Sequence, residues 1–203
     1  MAPIQLQWPA APSQLAAKSA TMIIPIVFTT AGDPVALGLV ASLNRPSANL
    51  TGITGLAGEL APKQLQLLRE LMPSVALFGV LANPAFPATP SVISHLQAAG
   101  RSLGMQLVIA SARTDSDLKP AFVTLSQQRV GAVLVVPSTL FSRHAEQLAA
   151  LAARHALPAI FPWREYALAG GLMSYGPSVG HQARQLGIYT ARILKGERSA
   201  LAS

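Results

Sequence analysis

The sequence predicts an α/β fold of doubly wound parallel sheets, on three observations. Short uncharged apolar runs alternate with amphipathic segments of roughly 10–15 residues, the pattern of strands joined through helices. The clearest run, GAVLVV at 131–136, carries no charge and is rich in β-branched residues, as a strand buried on both faces must be. The 16 prolines and 15 glycines fall between the runs instead of gathering in one tract, so they punctuate elements. Strands joined this way pair in parallel through right-handed crossovers, and such sheets take ligands beyond the carboxyl ends of their strands.

In chain order, IIPIVF at 23–28 reads as a buried strand. Asp33-Pro34 then looks like a cap with proline at the first helical position, opening a helix that turns Val35, Leu39, Val40 and Leu43 inward. Residues 44–48 are expected to turn, and LTGIT at 50–54 is a second short strand. A helix from about Pro62 to Met72 buries Leu65, Leu68, Leu71 and Met72 and stops at Pro73. A strand at 75–81 leads through the loop 83–90 to a helix at 91–103, with Val92, His95, Leu96, Ala99 and Leu103 on one side and Gly104 closing it. After a strand at 105–110 comes a helix at 116–128, with Leu118, Phe122 and Leu125 inward and Pro120 in its first turn, where a missing N–H costs least. The strand at 131–136 is followed by a helix at 142–155, strands at 157–161 and 172–175, and a last helix at 178–195 ending at Gly196. The later part is a complete sheet unit. The first part holds only two strands and one and a half helices, too few to close a sheet of its own.

Composition narrows the function. Half the chain is hydrophobic (51%) and 11% is charged, which suits a well-buried fold. The formal charge of +7 arises from 15 basic against 8 acidic residues, a shortage of acids. The basic residues are scattered, except for Arg184, Arg192, Lys195 and Arg198 near the last helix's carboxyl end, where cations are favoured anyway. That is no nucleic-acid footprint. There is no cysteine, so disulfides and thiolate chemistry are excluded. The long stretch 71–100 has no Asp, Glu, Lys or Arg, but Pro73, Pro84, Pro87 and Pro90 interrupt it, so it does not read as a membrane span. The opening residues lack a basic segment followed by an apolar core and do not read as a signal peptide.

Catalytic signatures are missing: there is no phosphate cradle, dinucleotide fingerprint, zinc-protease helix or nucleophile elbow. His95, His144, His155 and His181 all read as helix-face residues without metal-ligand spacing. No catalytic residue, metal or cofactor is therefore expected. The strand-end loops are more telling. Of eleven aromatics, Phe86, Phe141, Trp163, Tyr166 and Tyr175 lie there, and aromatic walls with a few polar groups suit a small-ligand cleft. Thr30, Asp33, Asn83, Phe86, Ser138, Trp163, Glu165 and Tyr175 are the candidate ligand contacts. Asp33 reads equally as a helix cap, Asn83-Pro84 as a simple turn, and Trp163 as cover for a sheet edge.

The stretches DPVALGLVASLNRPSANLTGIT (33–54), KQLQLLRELMP (63–73), LAARHALPAIFPWREYALAGGLMSYG (151–176) and GIYTARILKG (187–196) closely resemble the ABC transporter substrate-binding family of the tryptophan/tyrosine-binding type. The likeness runs in order over roughly 14–196. It implies a type I periplasmic binding fold, two doubly wound lobes that close about a hinge on a small solute. Under it, 1–61 is a partial first lobe, 62–176 a complete second lobe, and 177–203 a return crossing whose helix packs on the first lobe. The hinge crossings fall at 54–62 and 176–180. The implied function is an extracytoplasmic, periplasmic solute-binding protein that delivers an amino-acid-like solute or small carboxylate to the permease subunits of an ABC importer.

Two departures bear on this. The family's signal peptide, earlier β–α units and final segment have no counterpart here, and Met1–Ala11 does not resemble the family. A half-built first lobe leaves strand edges uncovered and so favours self-association. Amino-acid binders of the family also carry an acid just after the strand ending at Pro137, where this chain has Pro137-Ser138-Thr139-Leu140. Other readings are a ligand-sensing regulatory domain of the same fold, a non-functional fragment, and an enzyme on a doubly wound sheet, which fold alone does not exclude.

Overall fold

The computed structural model describes residues 4–6, 11–43 and 49–196, with side chains described over 14–43 and 49–196. The turn expected at 44–48 and the cation Arg198 lie outside the described residues. In chain order the elements are β1 (Ile4–Leu6), α1 (Ala11–Ala20), β2 (Ile26–Thr30), β3 (Leu50–Thr54), α2 (Ala57–Leu71), β4 (Leu77–Ala82), α3 (Thr89–Ser102), β5 (Gln106–Ser111), α4 (Asp115–Gln127), β6 (Ala132–Val135), α5 (Thr139–Arg143), α6 (Ala145–Arg154), β7 (Ala159–Phe161), α7 (Arg164–Leu168), β8 (Met173–Ser174) and α8 (Val179–Leu194). They form two compact units. Unit 1 takes residues 1–56 and 178–203, and unit 2 takes 57–177.

In unit 1 the strands run parallel in the order β1-β2-β3, in a register that sets Ile26 opposite Ile4 and Leu50. All five residues of β2 are buried, and Ile26, Phe28, Leu39, Val40 and Leu50 form the core. Helix α8 packs on β2 and β3, with Gln182 and Leu186 buried. Sequence reading placed two strands here; β1 and α1 are additional. The strand expected at 23–28 begins later, because the Asn49 amide donates to the Thr21 and Ile24 carbonyls and holds that stretch in a bend, leaving Met22 and Ile23 exposed.

The helix expected after Asp33 is a single turn. The Asp33 carboxylate accepts from the Val35 N–H at 2.8 Å, and the Pro34 carbonyl from the Leu39 and Val40 N–H groups. Gly38 then adopts φ +70°, which ends the turn. Leu39 and Val40 are buried as expected, whereas Val35 and Leu43 are exposed.

Unit 2 is a parallel five-stranded sheet in the order β5-β4-β6-β7-β8. From β4 the chain steps outward to β5, then returns past β4 to lay β6, β7 and β8 on the other side. Right-handed crossovers put α3 on one face and α4 and α6 on the other. The packing agrees: α2 lies against α3, and α4 against α6. Strand β6 is buried at every residue, whereas the edge strand β5 exposes Gln106, Ile109 and Ser111.

Several expected boundaries and faces are corrected. Helix α2 starts at Ala57, five residues before Pro62, and leaves Leu71 exposed. Leu96 and Val92 of α3 are buried, but His95 is exposed. Helix α4 buries Leu118, Phe122 and Leu125, yet Pro120 is its sixth residue, so the helical bond from 120 back to 116 is absent. The helix expected at 142–155 is two helices broken at His144 (φ −113°, ψ 29°), and His155 caps the second, so these histidines are not helix-interior residues. His144 Nε2 lies 3.3 Å from Asp115 Oδ1 at the start of α4. The chain between β7 and β8, expected to be loop, carries the short helix α7.

The start of α4 is pinned by Asp117, whose carboxylate accepts from the Arg113 N–H at 2.8 Å and the Thr114 N–H at 2.9 Å. The Arg113 and Thr114 hydrogen bonds hold its carboxyl below the ordinary value of 3.8. A lowered folded pKa adds stability above the unfolded value, and that stability is lost as pH falls through the folded value. Asp117→Ala should therefore lower the thermal midpoint at pH 7, and the gap to the parent chain should narrow as pH drops below the carboxylate range. Circular dichroism melts across pH check this; a gap independent of pH would contradict it.

Candidate functional site

The strand order of unit 2 marks where a sheet of this kind takes ligands. The loops leaving β4 and β6 turn to opposite faces, which is a topological switch point, and open α/β sheets take ligands there. Asn83 directly follows β4, and Ser138 stands three residues after β6 as the cap of α5.

Asn83 organises its own loop. Its Oδ1 accepts the Ala85 N–H at 2.9 Å, and its carbonyl accepts the Phe86 N–H at 3.0 Å and the Thr89 hydroxyl at 2.7 Å. The Asn83-Pro84 turn and the start of α3 are thus built from one residue. Its Nδ2 reaches across to donate to Ser138 Oγ at 3.2 Å, joining the ends of β4 and β6. Ser138 is fully buried, and Asn83 is 7% exposed. Ser138 precedes α5, and its carbonyl accepts both the Ser142 N–H at 3.0 Å and the Ser142 hydroxyl at 3.1 Å. The Tyr166 hydroxyl, 3.5 Å away, donates weakly to Ser142 Oγ. Tyr166 is buried and stacked on Phe161 with ring centroids 4.9 Å apart, and burial pushes its phenol well above the ordinary range. A polar track therefore runs Asn83–Ser138–Ser142–Tyr166 across the carboxyl ends of β4, β6 and β7.

Of the expected contacts, Asn83, Phe86 and Ser138 fall on this track or its loop. Trp163 lies just after β7, buried, and precedes the first turn of α7. Glu165, in that turn, is exposed. Tyr175 is 40% exposed; its N–H donates to the Phe161 carbonyl at 3.0 Å, and its carbonyl accepts from Gln64 Nε2 at 2.6 Å. Thr30 and Asp33 belong to unit 1. Thr30 Oγ1 accepts the Gly32 N–H, and Thr54 Oγ1 donates to the Gly32 carbonyl, which braces the loop after β2. Sequence reasoning did not pick Ser142, because an i+4 hydroxyl is visible only once α5 is known to start at Thr139. It also missed Gln14, whose Nε2 donates to the Thr29 carbonyl. Gln14 Oε1, Thr29 Oγ1 and Gln182 Oε1 are buried without a partner among the described residues, so unit 1 holds unspent polar capacity around β2.

A hollow of about 360 Å³ lies at the opposite, amino end of β7, lined by Ala149, Ala152, Leu157, Pro158 and Leu172. It has no polar side chain to orient a ligand, so the strand-end track is the better site. Among the described residues no cluster of His, Asp or Glu could hold a metal ion, and no helix is long and apolar enough to cross a membrane.

The family model described as ABC transporter substrate binding protein matches residues 9–201. This chain belongs to that family. The tyrosine-binding protein of Clostridioides difficile strain R20291 is 31% identical over 114 residues, covering 56% of this chain and 32% of that protein, so the chain matches about a third of the relative's length. A conserved domain protein from Vibrio cholerae superposes with a TM-score of 0.85 at 28% identity, over 97% of this chain and 65% of that one. An ABC domain from Streptococcus pneumoniae, solved with L-Trp, superposes at 0.79 and 20% identity, over 98% and 67%. The fold of this substrate-binding protein is thus of the periplasmic-binding type, with a complete five-stranded lobe and a partial three-stranded one.

Asn83→Ala would strip the buried Ser138 Oγ and the part-buried Ala85 N–H of their partner, at a cost of about 1–3 kcal/mol. Urea unfolding measures it; a loss well under that range would mean that Asn83 does not hold the two strand ends together.

Proposed function

We propose that this protein is the extracytoplasmic, periplasmic solute-binding component of an ABC-type importer. It captures a small organic solute, amino-acid-like or a small carboxylate, in the cleft between two lobes and presents it to permease subunits without chemical change. The carrying observation is the Asn83–Ser138 bond at the β4/β6 switch point, in a chain of the substrate-binding family. Phe86, Trp163 and Tyr175 supply aromatic surface near the strand ends, with Glu165, Thr30 and Asp33 as further polar contacts. The lobe boundaries proposed are 1–61, 62–176 and 177–203, with hinge crossings at 54–62 and 176–180. Leu56, a non-glycine residue at φ +42°, lies in the first of these crossings and supports a specialised backbone there. The exposed Met22 and Ile23 of unit 1 support self-association through the partial lobe.

Thermal unfolding with a panel of amino acids and small carboxylates tests the reading, with sedimentation of the same samples for the oligomer. A true ligand at a hundred times its Kd stabilises by about 2.7 kcal/mol, and the midpoint rises accordingly. A cooperative transition that no solute moves would refute solute capture. A monomer at every concentration would remove the self-association.

A further inference from the structure

Unit 2 carries nine basic and six acidic side chains, and its sheet sorts them by end. In a parallel sheet each connecting helix starts near the carboxyl ends of the strands and finishes near their amino ends. Five of the six acids stand in first turns: Glu59 of α2, Asp115 and Asp117 of α4, Glu146 of α6 and Glu165 of α7. Lys63, Arg113, Lys119, Arg143 and Arg164 balance them there. The whole positive excess of the unit therefore sits at the amino end, where Arg69, Arg101, Arg129 and Arg154 meet a single acid, Glu70. These four are spread one to a strand. Arg101 stands in the last turn before β5, Arg69 before β4, Arg129 just before β6, and Arg154 before β7. The edge strand β8 is entered through apolar residues instead: Leu168, at the end of α7, is 76% exposed and Leu172 is 72% exposed. Leu71, at the end of α2, is 63% exposed. Leu172 also lines the 360 Å³ hollow, whose other wall is the last turn of α6, where Arg154 is exposed. Helix dipoles favour cations at these positions. They give no reason for leucines left in water beside them.

We infer that the amino end of the unit 2 sheet rests on an anionic lipid surface, with its arginines against the headgroups and its exposed leucines among the upper acyl carbons. This goes beyond solute capture and does not depend on it. Five strands about 4.8 Å apart make this end roughly 19 Å wide. Screening at physiological salt acts over about 8 Å, so no small anion feels all four arginines. A plane of negative headgroups meets all of them at once. Scattered cations with exposed leucines combine the two contributions to interfacial binding, electrostatic attraction and buried apolar area. The hollow has no polar side chain, so it offers a partner protein little to hydrogen-bond, whereas a lipid chain needs nothing of the kind.

The test is co-sedimentation of the whole chain with vesicles of equal parts phosphatidylglycerol and phosphatidylcholine, and with vesicles of phosphatidylcholine alone. The chain should bind the first and not the second, and added salt should weaken the binding. Arg69 donates to the Pro73 and Val75 carbonyls at 2.8 and 3.1 Å, so it is left intact. Arg101→Gln with Arg129→Gln, both exposed, should weaken binding about 25-fold, or about fivefold for each arginine. Lys63→Gln with Lys119→Gln removes the same charge from the other end and should leave binding within about twofold. Leu172→Ser should weaken binding without changing its salt dependence. Circular dichroism checks that each variant folds; if the arginine pair does not, Arg101→Gln alone decides. A chain that ignores anionic vesicles would overturn the inference. Equal losses from the two charge pairs would overturn it too, since net charge alone would then explain the binding. Binding to poly-L-glutamate but not to vesicles would overturn it in favour of an acidic protein partner.

Discussion

Burial of β6 on both faces is the constraint on which unit 2 depends. Its four residues are completely inaccessible, with α2 against one face and the right-handed crossovers carrying α4 and α6 over the other. A strand in that position can carry no charge and no unpaired polar side chain. Its neighbours are held equally close. A Cβ added at Gly79 would come within 2.7 Å of Leu125, and one at Gly131 within 2.5 Å of Val75. Polar side chains are thereby confined to the strand ends, where the backbone turns outward.

At those ends the hydrogen bonding is economical. Asn83 terminates β4, shapes the loop to α3 and bridges to Ser138. Ser138, three residues after β6, starts α5 through its carbonyl. The track therefore cannot shift without disturbing the helix starts, which makes it pre-organised.

Unit 1 follows the same grammar with less material. Its three parallel strands bury a small core around Ile26 and Phe28, and β3 lies so close that a Cβ on Gly52 would come within 2.5 Å of the Phe28 carbonyl. Around β2 it leaves Gln14, Thr29 and Gln182 with buried oxygens that have no partner among the described residues. Among the described residues of unit 2 every buried side-chain nitrogen and oxygen has at least one partner, and the contrast is physical: a sheet of three strands has fewer elements from which to supply partners.

The sequence by itself determined the fold class, the complete lobe and the family. Uncharged runs such as 131–136 and stripes such as Leu118, Phe122 and Leu125 are local patterns, and local patterns survive without tertiary information. It also singled out Asn83 and Ser138, because they stand directly after apolar strands. It misjudged what depends on competing local bonds: the helix after Asp33 collapsed to one turn once Gly38 took a positive φ, and the helix at 142–155 broke at His144. Only the tertiary structure decided that Asn83 and Ser138 touch, and in which direction their protons run. They are 55 residues apart, and the contact exists because the sheet order places β4 beside β6, a fact about strand pairing that no local pattern encodes.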